Sequence, residues 1–382
     1  MRQYRLFLGI AAIFATSFQL WGARLHGSGQ QETNVLDSTA QAEPDSSDQL
    51  EVALNSKPAV GAFPVIFYSD QTRMAAGGGA QIVFEGQSEN QTSSIGLLAF
   101  YTQNKQYVLN VGPEIYLRDG TLKVTGGFMY GYFPDIFFGI GNDTDEEYED
   151  FAARTIAILP SIQVKAISNL FVGTEYAYYS VSLRDLEPDG QLIAGTIAGS
   201  ETSVASGLGV NTSWDSRNNN IYCTQGSYHQ FKAVFYEPSL GSEYTFKSYL
   251  LDLRHYHTLS TNQILALRGV IGLSSGETPF QVMPQLGAYL RGYYISRYRD
   301  NNLIAVQAEY RRPLYKWLGM VLFAGFGEVA AKAGDFSLRK LKPAAGFGFR
   351  IPLVKGQKVN LRIDIGVGKG DSSFDINIME AF

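Results

Sequence analysis

The fold class this sequence predicts is all-β: a single antiparallel transmembrane barrel of about sixteen strands. Three observations predict it. Apolar and polar residues alternate with period two from Gly61 onward, Gly and aromatic residues are abundant while charge is scarce, and turn signals recur about every twenty residues. The alternation is plainest in Val359-Asn360-Leu361-Arg362-Ile363-Asp364-Ile365-Gly366-Val367, where every odd position is aliphatic and every even one is polar or Gly. Period two puts the two sets on opposite faces of a strand. A charge on the lipid face at mid-membrane costs up to about 2–4 kcal/mol, so Arg362 and Asp364 are predicted to face the lumen. By the same logic Ala345, Phe347, Phe349 and Ile351 face out, with Gly346, Gly348 and Arg350 inside.

Composition agrees. The 382 residues include 40 Gly, 24 Phe and 23 Tyr, and only 18% are charged, below the roughly 25% of soluble domains. Mean hydropathy is −0.08, as expected of a wall with one lipid face and one wet face. Beyond the N-terminus no apolar run approaches the roughly 20 residues of a spanning helix. A soluble sandwich would alternate similarly, with its apolar face as core; an N-terminal export signal and so many long strands favour the membrane. The net charge of −5 argues against nucleic acid, which calls for a basic patch. The single cysteine, Cys223, excludes an internal disulfide and a cysteine-based metal cluster.

Residues 1–28 read as a secretory signal peptide, with Arg2 and Arg5 preceding an apolar stretch from Leu6 to Phe18. A short membrane anchor is the other reading. Residues 29–60 are polar, acidic and aperiodic, and read as a disordered linker. Residues 61–382 form the barrel, with strands predicted to start near 64, 76, 93, 106, 121, 152, 169, 202, 226, 244, 262, 302, 317, 341, 357 and 373. Segments 133–151, 184–201 and 275–301 follow the fifth, seventh and eleventh strands. With both barrel ends periplasmic, these long connections are extracellular, and short turns such as Asp119-Gly120 are periplasmic.

Several segments, in order and spacing, resemble the BamA/TamA family of outer-membrane insertase and translocase barrels, also called bacterial surface antigen barrels. Pro64-Val65-Ile66-Phe67-Tyr68-Ser69 resembles the family's first strand, and Phe138-Gly139-Ile140-Gly141-Asn142-Asp143-Thr144 its GIGN loop. Trp214-Asp215-Ser216-Arg217-Asn218 with Gly226 resembles a periplasmic turn, and Leu290-Arg291-Gly292-Tyr293 the [VL]RG[FY] element of the sixth extracellular loop. Ala308-Glu309-Tyr310-Arg311-Arg312-Pro313-Leu314 resembles the twelfth strand, and Asn360 to Gly366 with Glu380-Ala381-Phe382 the last two. Two departures stand out. The linker is too short and polar for a periplasmic POTRA module, so the chain resembles a POTRA-less branch. Gly325 also stands in Phe323-Ala324-Gly325-Phe326-Gly327 where the family has an aspartate.

The resemblance implies a Gram-negative-type outer membrane, an inward-folded sixth loop and a lateral seam between first and last strands, where Pro64 removes a donor and little regular length is available. It also implies assistance to protein or lipid insertion or translocation; a passive pore or structural surface antigen is the alternative. Implied partners are lipopolysaccharide and phospholipid, the resident barrel-assembly machinery during insertion, and a polypeptide or lipid substrate.

Arg291 carries five donors and keeps its charge, so inside a barrel it needs partners. Alternation sends Gln307, Glu309 and Arg311 inward. Glu309 is therefore the expected partner, with Phe323 packing nearby and Asp364 or a backbone carbonyl as second acceptor. Gly292 and Tyr293 complete that element, and Asp215 with Arg217 the periplasmic turn. Phe382 is expected to share one strand face with Phe374, Ile376 and Ile378, as an assembly signal and interfacial aromatic. No catalytic residue, cofactor or metal is expected. Gly272-Leu273-Ser274-Ser275-Gly276 fits G-x-S-x-G but lacks the following helix of a nucleophile elbow. His229, His255 and His257 form no His-x-Ser pair, and the acidic run Asp143 to Asp150 lacks the spacing of a calcium loop.

Overall fold

The computed structural model describes residues 58–69, 72–88, 91–353 and 359–382. The predicted signal peptide and the linker up to residue 57 lie outside them. The last linker positions, Ala59 and Val60, already belong to the first strand, which is eleven residues long rather than short.

The strands in chain order are β1 (Ala59–Ser69), β2 (Arg73–Ser88), β3 (Gln91–Thr102), β4 (Tyr107–Leu117), β5 (Leu122–Thr125) and β6 (Phe128–Phe137). Then come β7 (Glu149–Ile158), β8 (Ser161–Ile167), β9 (Leu170–Arg184), β10 (Ser203–Asp215), β11 (Gly226–Tyr236) and β12 (Phe246–Ser260). The series ends with β13 (Gln263–Gly276), β14 (Asn302–Tyr315), β15 (Leu318–Ala330), β16 (Lys342–Pro352), β17 (Asn360–Gly368) and β18 (Asp371–Ile378). All belong to one sheet, and every pairing between neighbours is antiparallel. No helix among the described residues is long and apolar enough to cross a membrane.

The eighteen strands among the described residues exceed the expected sixteen, and the excess has a local cause. β4 pairs with both β5 and β6, and β9 with both β7 and β8. The pairings Thr125↔Ser161 and Phe128↔Ile158 keep one register across Gly126-Gly127 and Leu159-Pro160. Continuing that register lays Pro113, Gly126, Pro160 and Tyr176 in one row across the wall. Gly126 N donates to the Pro113 carbonyl and Tyr176 N to the Pro160 carbonyl, each at 3.0 Å. Neither proline has an N–H to return the bond, so the ladder is interrupted while the chain runs straight on.

The two faces divide as the alternation requires. Ile158, Val172, Leu208, Val210, Leu253, Ile271, Val306, Phe347 and Val367 are exposed on the outside. Glu175, Asp252, Arg254, Arg268, Glu309, Arg311, Arg350, Arg362 and Asp364 are buried inside. Trp214, Tyr315 and Trp317 stand exposed at the end carrying the short turns, as in an interfacial aromatic girdle.

Segment 277–301 touches β6 through Tyr294 and Asp135, and β18 through Tyr294 and Asp371. Those strands lie far apart in sheet order, so the sheet must curl round the segment. At the meeting of the two ends, no residue pairing joins β1 to β18 among the described residues. Pairing with β17 directs Phe374 outward, opposite Ile365. Yet Phe374 packs on the cluster of Val65, Ala75, Leu98, Phe100 and Val108, which are buried positions of β1 to β4. Ile378 is likewise buried with Val83, and Phe63 packs against both clusters. The outer face of β18 thus lies on the inner face of the first strands, an overlap in place of a ladder.

Candidate functional site

Arg291 is placed by a turn that only glycine can follow closely. Gly292 has φ +113°, and a Cβ there would stand 2.9 Å from both the Ala344 Cβ and the Val367 carbonyl oxygen. Its N–H donates to Ser373 Oγ at 2.9 Å. Tyr293 is buried with its hydroxyl donating to the Pro343 carbonyl at 2.6 Å, and it accepts from Lys369 N at 3.0 Å. Further along, Arg297 donates to Thr144 Oγ1 at 2.6 Å, and Gly141 N donates to the Arg299 carbonyl at 2.8 Å. The segment is therefore anchored on opposite walls, with the Gly139 to Thr144 stretch as one of its docking points. Within it, burial, partly offset by Asp135, holds the Arg299 guanidinium below its ordinary value. Burial and the same carboxylate push the Tyr294 phenol well above its own.

The Arg291 guanidinium uses every edge. Nη2 donates to Glu309 Oε2 at 2.5 Å, Nη1 to Asp364 Oδ2 at 2.6 Å and Nε to Gln307 Oε1 at 2.9 Å. Its flat face lies 3.8 Å from the centroid of Phe323, which adds a cation–π contact in a desolvated setting. The structure thus brings Arg291, Glu309, Asp364 and Phe323 together, with Asp364 as the second acceptor. Gly325 has its own reason: a Cβ there would clash first with the Val306 carbonyl oxygen and then with Leu290 Cδ1 at 2.8 Å, so backbone and Leu290 together take the space an acidic side chain would need.

Around Arg291 runs a charged ring that alternation alone does not connect. Glu309 also accepts from Arg311 Nε at 2.5 Å, and Asp364 from Arg350 Nη1 at 2.6 Å. Glu380 closes the ring, accepting from Arg350 Nε at 2.6 Å and from Asn360 Nδ2 at 2.9 Å. Arg362 Nε lies 3.6 Å from Asp364. A buried cation or carboxylate is tolerated only when so paired, and here each carboxylate is shared by more than one donor.

Phe382 is a correction. It does not end a strand or share a face with Phe374, because β18 stops at Ile378 and Met379 takes φ +76°. The turn sends residues 379–382 inward. Phe382 is buried with Cys223, Tyr256, Ala266 and Ala381, its ring 5.8 Å from the Arg291 guanidinium, and its carbonyl accepts from Arg311 Nη2 at 2.6 Å.

Asp215 and Arg217 form a separate pair. Arg217 grips Asp215 with Nε at 2.8 Å and Nη2 at 2.6 Å and stacks 4.4 Å from the Tyr228 centroid. Next to it is an arrangement that sequence reasoning missed. Asp252 is held two-handed by Arg254 (3.1 and 2.6 Å) and by Arg268 (3.1 and 2.8 Å). The available signal was Asp252 and Arg254 on one face of their strand, with Arg268 directly opposite Arg254. Gly272 to Gly276 lies within β13, paired to β12, not on an elbow. A Ser–His contact does form across strands, Ser227 Oγ to His255 Nδ1 at 2.9 Å, invisible to a search for His-x-Ser.

A family model of the Omp85 superfamily domain matches residues 75–377. Two similar solved structures are BamA from Haemophilus ducreyi lacking POTRA domains 1–3 and CdiB from Escherichia coli. The first shares 12% identity at a TM-score of 0.53, over 85% of this chain and 69% of that one. The second shares 10% identity at a TM-score of 0.53, over 86% of this chain and 62% of that one. Both likenesses speak for the fold. No curated protein sequence matches the chain. With the family match spanning most of its length, the chain belongs to the Omp85 superfamily: it is a Gram-negative outer-membrane β-barrel of the BamA/TamA kind.

Proposed function

We propose that this barrel moves polypeptide or lipid into or across the outer membrane at the seam between β1 and β18, in the manner of an insertase or translocase. The observation that carries the reading is the overlap at that seam. Every other adjacent pair of strands is held by a ladder of backbone bonds, whereas here side chains such as Phe63 and Phe374 fill the contact. Apolar packing can slide and part without leaving a row of broken hydrogen bonds in lipid.

In this reading the barrel crosses the membrane sixteen times and segment 277–301 is its sixth extracellular loop, folded inward. Arg291, gripped by Glu309 and Asp364, pins the loop; Gly292 and Tyr293 shape it; Phe323 backs it. The ring continues through Arg311 and Arg350 to the tail at Glu380 and Phe382, so loop and seam are mechanically joined. The Asp215–Arg217 pair holds the periplasmic turn rigid.

The test is a barrel with cysteines replacing Val65 and Phe374, reconstituted in liposomes and joined by a short cleavable reagent. The expected result is insertion of an unfolded barrel substrate, or lipid movement, that stops on cross-linking and returns on cleavage. Full activity of the locked barrel would overturn the seam's role. Ion conduction without movement of polypeptide or lipid would favour a passive pore.

A further inference from the structure

A cavity of about 380 Å³ lies in the lumen between the wall of β4 to β13 and segment 277–301, and no described residue of β14 to β17, which hold the Arg291 ring, lines it. Its two ends differ in chemistry. At the end with short turns, Lys123, Arg217 and Arg254 line it and gather around one ring. Their charged groups stand 5.5, 4.4 and 5.1 Å from the centroid of Tyr228. The carboxylates that hold the two arginines, Asp215 and Asp252, are not part of the lining, so the guanidiniums stand between them and the chamber. Glu114 and Glu175 do line it, each with its own lysine, Lys123 at 2.9 Å and Lys232 at 2.7 Å. Gln163 lies opposite Lys123 in the ladder, is 2% exposed, and its Nε2 has no protein partner among the described residues. In the lining of that end cations therefore outnumber carboxylates four to two, with Asp215 and Asp252 set behind the arginines, and the Gln163 amide is an uncommitted donor.

Toward the other end apolar side chains dominate, with Leu159, Ala177, Val234, Phe246, Phe280 and Met283, and among the described residues the only charges at its tip are Asp135 and Arg299, which attract each other. Lys123 and Phe133 both line it, ten residues apart along one continuous wall, or roughly 33 Å at strand rise. A volume near the low end of the roughly 300–1,000 Å³ of small-molecule sites, spread over that length, suits one extended chain and not two.

From this polarity and shape we infer that the chamber binds a single-chain anionic amphiphile, with a phosphate or carboxylate head. The head lies against Lys123, Arg217, Arg254 and the Gln163 amide. The hydrocarbon runs past Leu159 and Ala177 toward Phe246. The site is independent of how the β1–β18 seam behaves. Apolar side chains supply the hydrophobic gain, and charge-assisted hydrogen bonds at the far end set head-group preference.

The test uses the full chain in nanodiscs with lysophosphatidylglycerol carrying a photoactivatable group on its chain, cross-links being mapped residue by residue. Lysophosphatidylcholine with the same chain is the comparison. Labelling is expected on inward positions, Leu159, Ala177 and Val234, about tenfold stronger for the anionic lipid, because both heads offer the same phosphate but only choline brings a cation among Lys123, Arg217 and Arg254. It is expected to vanish in Ala177→Phe, which fills the chamber. Ala157→Leu, a smaller intrusion at another lining position, serves if that variant fails to fold as judged by heat-modifiable mobility. Labelling confined to outward residues such as Ile158, Ile162 and Val172 would overturn the proposal. So would equal labelling by the two lipids, or labelling that survives both fillings.

Discussion

Replacing Arg291 by alanine removes three hydrogen bonds and a cation–π contact at once, and the structure sets the size of the loss. Breaking a buried ion pair by deleting one partner costs about 3–5 kcal/mol, because the other charge is left uncompensated. Here both carboxylates keep a second cation: Glu309 keeps Arg311 at 2.5 Å and Asp364 keeps Arg350 at 2.6 Å. The cost therefore falls near the lower bound, about 3 kcal/mol, or roughly a hundredfold in the open population of segment 277–301. Trypsin reports it directly, since Arg297 and Arg299 are buried in that segment and remain in the variant. When opening is fast relative to cleavage, the cleavage rate tracks the open population. Cleavage after Arg297 and Arg299 should accelerate about a hundredfold, with Arg291→Lys between, because an ammonium cannot reproduce the fork. A rate within about threefold of the parent protein would refute the pinning.

Gly292→Ala should cost about 1–3 kcal/mol through its positive φ and crowding against Ala344 and Val367, seen as an earlier shift in thermal gel mobility. Glu380→Gln weakens the charge-assisted bonds from Arg350 and Asn360. The Met379 amide, which donates to the Asn360 carbonyl at 2.7 Å, should then exchange with solvent roughly thirtyfold faster, as a loss of about 2 kcal/mol implies. Asp252→Asn leaves Arg254 and Arg268 facing each other without their shared anion. It should lower unfolding stability by about 3 kcal/mol, measured as a drop in denaturant midpoint at unchanged slope.

Most of the wall was legible because lipid on one side and water on the other force a period of two. The residues from Val359 to Val367 could be assigned to faces without knowing any neighbour. Glu309 and Asp364 were legible as inward acids for the same reason. What escaped needed register. Pro113, Gly126 and Pro160 are unremarkable one by one and interrupt two strands only because they fall in a row. The Asp252 clamp needs Arg268 from the next strand, and the Ser227–His255 contact likewise crosses a ladder. Phe382 escaped for a different reason: a left-handed turn at Met379 breaks the alternation with a residue type that gives no warning. Gly325 could be noted as a departure, but only the Val306 carbonyl across the ladder and Leu290 beside it explain it.

Amide hydrogen exchange along β1 and β18, compared with β13 and β14, measures the overlapped seam most directly. Internal strands bond on both sides, whereas an unlatched edge bonds on one. The N–H groups of β18 that point away from β17 should therefore exchange more than about a hundredfold faster than those pointing toward it, in alternation along the strand. Uniform protection across both sets, equal to that of β13 and β14, would mean a closed ladder and contradict the overlap on which the proposed movement of cargo depends.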